Sequence, residues 1–401
     1  MDCMKYKIRF NVSNVVITLA ILAFLSDISN SITSVTVPLL ALNLGASLNF
    51  VGTMVALSSL TRLLFVQPVG ILCDKKDKRI FLIIGYICFL INFLFLIFAT
   101  IPFHILLGRI FQGIGGAMFY TAAISLILEH AKEKRGLAVG IYATFMGFGF
   151  SIGPVIGGFI AEKVSYNMSY LLSTIIALIS IAIVIFGVKG TKNKNDINLD
   201  SRNKQGLPYK LMLKNNELLI ACLGAFFISE AIGADTSFFP VFGRGINLQE
   251  GTIGMILGIR AFLSTIVRIP IGKATERINS RKLMTLALGL ASLGLFLIPQ
   301  FRIIWLFPMF LGLEGIGYGI FLTSANTYIG EVTREDNRGS AVGLYNTFSG
   351  MGGVVNMAIL GYVASSFGVD NTFRFTSIMC LLGLIIINIL SIRTHSRARK
   401  F

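Results

Sequence analysis

Apolar runs of about 20 residues or more recur twelve times along the chain, each long enough to cross the hydrocarbon core of a bilayer. They cover residues 12–37, 50–73, 80–100, 103–128, 137–161, 168–188, 217–242, 251–272, 282–300, 303–330, 339–364 and 372–392. Within a run the apolar positions are continuous and do not alternate as membrane β-strands do. Only helices and closed barrels satisfy backbone polar groups inside lipid, so the pattern predicts helices. The fold class expected is an all-α membrane protein with twelve transmembrane helices. One long hydrophilic stretch, Lys189 to Asn216, interrupts the series after the sixth run and carries seven basic residues. It reads as a flexible cytoplasmic linker between residues 1–188 and 217–401.

The two sides of that linker repeat each other. Gly70-Ile71-Leu72-Cys73-Asp74-Lys75-Lys76-Asp77-Lys78-Arg79 returns, degraded, as Gly272-Lys273-Ala274-Thr275-Glu276-Arg277-Ile278-Asn279-Ser280-Arg281, an offset of 202. Each copy places an acid four residues after the glycine, a base at the fifth and an arginine at the ninth, between two apolar runs. Gln112-Gly113-Ile114-Gly115 matches Glu314-Gly315-Ile316-Gly317 at the same offset. Arg135-Gly136 through Tyr142 matches Arg338-Gly339 through Tyr345 one insertion later. The expected architecture is therefore two parallel six-helix repeats with a site between them near the bilayer midplane.

Composition narrows the class further. The chain is 54% hydrophobic and 13% charged, against about a quarter charged in soluble domains. A net charge of +16 would suit nucleic acid, but its placement argues otherwise. With the N-terminus taken as cytoplasmic, 27 of the 35 Lys and Arg fall in cytoplasmic segments and four in outer ones. The other four, Arg62, Arg109, Arg260 and Arg268, lie inside runs. This is the positive-inside pattern, and it places both termini in the cytoplasm of a cell-membrane protein that does not bind nucleic acid. The first run is too long for a signal-peptide core and has no small-residue cleavage site, so it is expected to stay as a helix. Five cysteines and three histidines are scattered without ligand spacing, so neither a metal nor a cofactor is expected. The glycines of runs 4 and 5 follow no strand and precede no Lys-Ser/Thr, which excludes a nucleotide loop.

Three stretches resemble the major facilitator superfamily, specifically its twelve-helix drug:proton antiporter branch. They are the turn with Gly70, Asp74, Lys75 and Arg79, the run 4 segment Arg109-Ile110-Phe111-Gln112-Gly113-Ile114-Gly115, and Gly149-Phe150-Ser151-Ile152-Gly153-Pro154-Val155-Ile156-Gly157-Gly158 in run 5. The third is similar to the signature of the exporters. The turn departs at Asp77, where the family usually has glycine, which suggests a less tight turn. Run 11 has Asn356-Met357 where run 5 has Gly153-Pro154. The resemblance implies a monomeric secondary transporter, not an enzyme, that exports a small molecule in exchange for protons by alternating access. The alternatives are a dedicated transporter of an anionic or zwitterionic metabolite (a metallophore, purine or sugar derivative) and, last, a membrane-embedded enzyme or sensor. An enzyme would need a clustered nucleophile, base or metal set, and a sensor a soluble output domain; the sequence offers neither.

Charges inside membrane helices cost from about 2.5 kcal/mol upward and usually face an interior or a water-filled path. At 1.5 Å rise per residue, Glu230 falls about 20 Å along run 7 and Glu314 about 18 Å along run 10, both near the midplane. A buried carboxyl there can take up and release a proton. In drug-exporting relatives acids on these two helices serve proton coupling, which the resemblance carries to Glu314 and Glu230; the alternative is a structural pair with Arg260. Asp235 lies about 140° around the helix from Glu230 and nearer the outer edge, which gives it less weight. Run 1 is unusually polar from Ser26 to Thr36, so Asp27 and Asn30 are expected to line a central cavity, as substrate ligands or, for Asp27, as a second proton site. Arg109 is either the partner of Asp27 or, by the resemblance, an aid to proton transfer. Arg62 and Arg260 either bind a substrate carboxylate or phosphate, or neutralise nearby acids. For gating, Asp74, Lys75 and Arg79, with Glu276 and Arg277 in the second copy, are expected to latch the halves in the outward-facing state, or else only to enforce topology. Gly149, Gly153 and Gly157 recur at four-residue spacing for close helix approach, and Pro154 removes a backbone hydrogen bond beside them.

Overall fold

The computed structural model describes residues 13–131, 135–188, 212–213, 215–334 and 337–398, with side chains as far as Ile392. The linker 189–216 lies almost wholly outside the described residues, as does Cys3. Twelve helices are long and apolar enough to cross a membrane. They are α1 (Asn14–Asn43), α2 (Leu48–Cys73), α3 (Lys78–Ile97), α4 (Pro102–His130), α5 (Arg135–Lys163) and α6 (Tyr166–Gly187), followed by α7 (Asn216–Gly245), α8 (Glu250–Ala274), α9 (Ser280–Gln300), α10 (Ile304–Val332), α11 (Arg338–Phe367) and α12 (Val369–Ile392). No strand occurs among the described residues. The chain is a multi-pass membrane protein of twelve helices, as its apolar runs predict.

Local chemistry sets the helix ends. Ser47, Ser165 and Asn215 accept hydrogen bonds from the first-turn N–H groups of α2, α6 and α7, which lack intrahelical partners. Gly368, at φ 89°, lets the chain reverse between α11 and α12. At the repeated turns, Asp77 caps α3 by accepting from the Arg79 N–H at 3.0 Å. Asn279, 202 residues on, caps α9 by accepting from the Arg281 N–H at 2.9 Å. The acid that departs from the family pattern is therefore a helix cap, and the turn is organised by it.

Packing repeats with the sequence. Within the first six helices α1 packs on α5 and α6, α2 on α4, and α3 on α4 and α6. Within the last six, the same contacts return as α7 on α11 and α12, α8 on α10, and α9 on α10 and α12. One polar tie repeats as well. Lys78 pairs with Glu129 across α3 and α4, and Ser280 donates to Glu331 at 2.8 Å across α9 and α10.

The two sets meet along α5–α8 and α2–α11. Contact is tightest at the end that carries the turns at 44–47, 164–165 and 246–249, here termed the far end, and reaches as far as Gly147 against Thr265 and Gly350 against Leu63. A Cβ on Gly254 would run into the Pro154 carbonyl, and one on Gly158 into that of Glu250. Between α2 and α11, a Cβ on Gly52 would meet the Met357 carbonyl. At the opposite end, which carries Lys75, Lys76 and Arg277, the same helices separate. A Cβ on Gly136, Gly272 or Gly339 would meet nothing within 4 Å. Leu64 through Pro68 are exposed in succession, which a helix packed along one face does not show. The protein is therefore closed at the far end and open at the basic end.

Candidate functional site

A cavity of about 300 Å³ lies among α1, α2, α3, α4, α5 and α7. Helical spacing builds its walls. Asp27, Asn30, Ser31 and Ser34 of α1 fall at i, i+3, i+4 and i+7, and so do Val55, Ser58, Ser59 and Arg62 of α2. Gln112, Gly116 and Tyr120 recur every four residues on α4, with Arg109 one turn before them. Phe89, Phe150 and Ile232 supply apolar wall. The polar face of the first helix thus lines a cavity, and Asp27, Asn30, Arg62 and Arg109 come together there.

Their bonding departs from the Asp27–Arg109 pair, the alternative weighed for Asp27. Asp27 is 8% exposed and makes no ion pair with Arg109 or Arg62 among the described residues. Tyr120 instead donates its hydroxyl to Asp27 Oδ1 at 2.8 Å, and Oδ2 bonds to nothing. Arg62 is exposed to the cavity, with its guanidinium carbon 5.0 Å from the Tyr120 ring centroid, the geometry of a cation–π contact. Arg109 donates to Gln112, whose amide donates to Asn30 Oδ1 at 3.2 Å. Asn30 in turn donates to the Ser26 carbonyl at 2.9 Å. This chain fixes α4 against α1 across the cavity wall.

A second polar group is sealed inside the last six helices. Arg260 donates from Nε and Nη2 to the two oxygens of Glu314, at 2.6 and 2.8 Å, and from Nε to Asp235 at 3.1 Å. Arg260 is 2% exposed and both acids are fully buried. The fork is occupied, so Arg260, expected as a possible substrate ligand, stands apart from the cavity lining. Asp235 joins the cluster despite the low weight its position suggested. Glu230 is also fully buried, yet neither of its oxygens is hydrogen-bonded. Thr376 of α12 stands beside it but donates its hydroxyl to the Thr372 carbonyl at 2.9 Å. The pair with Arg260, the alternative to proton coupling, therefore forms for Glu314 and not for Glu230.

The far end is held by polar contacts between the two helix sets. Gly251 N–H, in the first turn of α8, donates to Glu162 of α5 at 2.9 Å. Tyr166 of α6 donates to Glu250 at 2.8 Å, and Arg244 pairs with the same oxygen. Gly153 and Gly157 face α1, where a Cβ would strike Ser31 and the Ile32 carbonyl, while Pro154 faces Gly254 of α8. At the basic end Asp74 ends α2, exposed and without an ion pair among the described residues. Arg79 donates to the Ile185 carbonyl of α6. Lys75, Glu276 and Arg277 are exposed. None of Asp74, Lys75, Arg79, Glu276 and Arg277 makes an ion pair across the two sets among the described residues.

Sequence reasoning does not single out Tyr120, Glu162 or Glu250. The spacing of Gln112, Gly116 and Tyr120 is the available signal for the first. For the acids it is their place beside the short turns of the far end. No group of three or more His, Cys, Asp or Glu among the described residues is arranged to hold a metal.

Comparison with known proteins places this geometry. The chain is 23% identical over 389 residues to the multi-drug resistance efflux pump PmrA of Streptococcus pneumoniae, covering 94% of this chain and 96% of the relative. It is 24% identical over 388 residues to the quinolone resistance protein NorB of Staphylococcus aureus, covering 82% and 83% respectively. Among solved structures, a mutant of the nucleoside transporter NupG superposes with a TM-score of 0.80 at 13% identity, over 94% of this chain and 99% of that one; at that identity the likeness is one of fold. The family model of the Major Facilitator Superfamily matches residues 19–251 and 231–401. The matches span both six-helix sets, and the chain belongs to the Major Facilitator Superfamily of transporters.

Proposed function

We propose that this transporter exports a small molecule in exchange for protons by alternating access. The observation that carries the reading is the imbalance of buried charge: Glu230, Asp235 and Glu314 are all fully buried, and the one buried arginine among the described residues, Arg260, pairs with the last two only. A buried carboxyl without a cation is stable only as the neutral acid, so the surplus acids are the natural carriers of protons. Glu314, beside Arg260, and Glu230, against α12, are the proposed proton-coupling sites. Asp27, bonded only through Oδ1, is their first-half counterpart in the cavity wall, with Arg109 and its amide chain setting the polarity around it.

The open end is the basic one. With that end in the cytoplasm of the cell membrane, as the positive-inside bias indicates, the cavity is inward-facing and ready to load from the cell. The bundles 1–188 and 217–401 then rock about α5–α8 and α2–α11, joined through 189–216. Asp74, Lys75 and Arg79, with Glu276 and Arg277, latch the basic end in the opposite state, which agrees with Asp74 making no ion pair here among the described residues. Pro154 belongs to the closed seam, against Gly254 of α8, while Gly153 and Gly157 hold α5 close to α1 behind it. The names of PmrA and NorB favour efflux of drug-like solutes, quinolones among them. A specific observation favours the second reading, a dedicated carrier of an anionic or zwitterionic metabolite: Arg62 reaches the cavity with its guanidinium free of any acid among the described residues. The chain is expected to act as a monomer.

Inverted membrane vesicles test the reading. A pH gradient, acid inside, should drive accumulation of a fluorescent quinolone, and a protonophore should abolish it. Accumulation that survives the protonophore but needs sodium would contradict it.

A further inference from the structure

Opposite charges on one cavity wall normally neutralise each other. In this wall they do not. Asp27 and Arg62 both line the cavity, yet they form no ion pair among the described residues, and each contacts Tyr120 instead. The tyrosine holds the acid at its hydroxyl edge, 2.8 Å away, and the guanidinium over its face, 5.0 Å from the ring centroid. One carboxylate oxygen is left unbonded and the guanidinium keeps its hydrogen-bonding fork. Phe89 and Phe150 flank this wall and suit an apolar body between two charged ends.

We infer that the cavity selects a solute carrying both a basic and an acidic group, with Tyr120 as the residue that sets their separation. The inference rests on the transport reading above and names its substrate class. The physical reason lies in occlusion. While the basic end is open, water solvates the exposed Arg62, whereas Asp27 is already buried with Oδ2 unbonded. When the cavity closes around a solute, Arg62 loses that water and Asp27 gains none, and an uncompensated buried charge is strongly unfavourable. A cationic solute answers Asp27 and leaves Arg62 bare. An anion does the reverse. A solute with an ammonium and a carboxylate or phosphate answers both, Arg62 through its planar fork and Asp27 through its free oxygen. Selection therefore depends on the tyrosine keeping the wall charges from meeting.

Three probes on one skeleton test this: a fluoroquinolone with a carboxylate and a piperazine amine, its ethyl ester, which lacks the anion, and its N-acetyl form, which lacks the cation. Binding is read by isothermal titration to the full chain in nanodiscs, with no gradient, so a failure of proton coupling leaves the readout intact. The zwitterion should bind at least about tenfold tighter than either derivative, a difference of about 1.4 kcal/mol. Tyr120→Phe should erase its advantage over the N-acetyl form while keeping its advantage over the ester. Tyr120→Leu should erase both. Equal affinity for the three probes, no binding of the zwitterion, or a uniform loss in Tyr120→Phe would each overturn the inference. Proton-linked flux without this preference would remove the inference alone, and the preference without proton movement would remove the transport reading alone.

Discussion

Gln112 and Glu314 occupy matching places in the sequence repeat, 202 residues apart, and each accepts a hydrogen bond from an arginine, Arg109 in one case and Arg260 in the other. The surrounding packing matches too. A Cβ on Gly115 would strike the Gly85 carbonyl, and one on Gly317 the Ala287 carbonyl, again 202 residues on. One fold position therefore holds a neutral amide in the first half and a carboxyl in the second. Of these two side chains only the carboxyl can bind and release a proton.

Glu314→Gln should keep the fold and abolish uphill transport, since the first half already accommodates an amide there. Arg260 keeps Asp235 as its ionic partner. Counterflow exchange of labelled substrate in proteoliposomes should persist while accumulation against a gradient falls to the passive level. Wild-type accumulation would make Glu314 purely structural.

Arg260→Met should do far more damage. It strips the one cation that pairs, among the described residues, with two fully buried acids, and breaking a buried pair in this way costs about 3–5 kcal/mol. Expression and thermal stability should drop sharply, measured by fluorescence-detected size exclusion after heating. Adding Glu314→Met to the same chain should recover part of that loss, because the replaced pair becomes apolar packing.

Much of this architecture is legible in the order of residues alone. The apolar runs mark every helix because a bilayer imposes length and composition directly, and the polar stripe from Asp27 to Ser34 marks the cavity wall. The partners of the buried charges are less legible. The 140° between Glu230 and Asp235 turns one toward Thr376 of α12 and the other toward Arg260 of α8, but α7 is enclosed on both sides, so the angle makes neither residue peripheral. Asp235 sits in a π-helical turn, Ala234–Phe238, a local widening that a 3.6-residue period does not reveal. Tyr120 is obscure for another reason: one tyrosine in an apolar helix looks like packing until the charges on its edge and face are placed.

Gly254→Val should prop the far end apart. Its added Cβ meets a backbone carbonyl, that of Pro154, which cannot swing aside as a side chain would. Cysteines placed on either side of the α5–α8 seam should become accessible to a membrane-impermeant thiol reagent from the far side, and transport should fall. Unchanged protection would mean that the seam is looser than its packing indicates.

Asp74→Asn should leave the state described here undisturbed, because Asp74 makes no ion pair in it among the described residues. The change should instead weaken the state closed at the basic end, so labelling of cavity cysteines from the cytoplasmic side should rise and turnover should slow. An unchanged labelling balance with normal turnover would reduce the turn to a topological role.

The most direct test of proton exchange is lumenal pH in sealed proteoliposomes. A pH-sensitive dye is trapped inside, and a gradient of a fluoroquinolone is imposed across the membrane without any pH gradient at the start. Wild-type protein should shift lumenal pH in step with solute movement, insensitive to replacing sodium with choline. Glu230→Gln, which removes a buried acid that has no hydrogen-bonded partner to disturb, should move solute with a smaller pH change or none. Solute flux that leaves lumenal pH constant in the wild type would contradict the account.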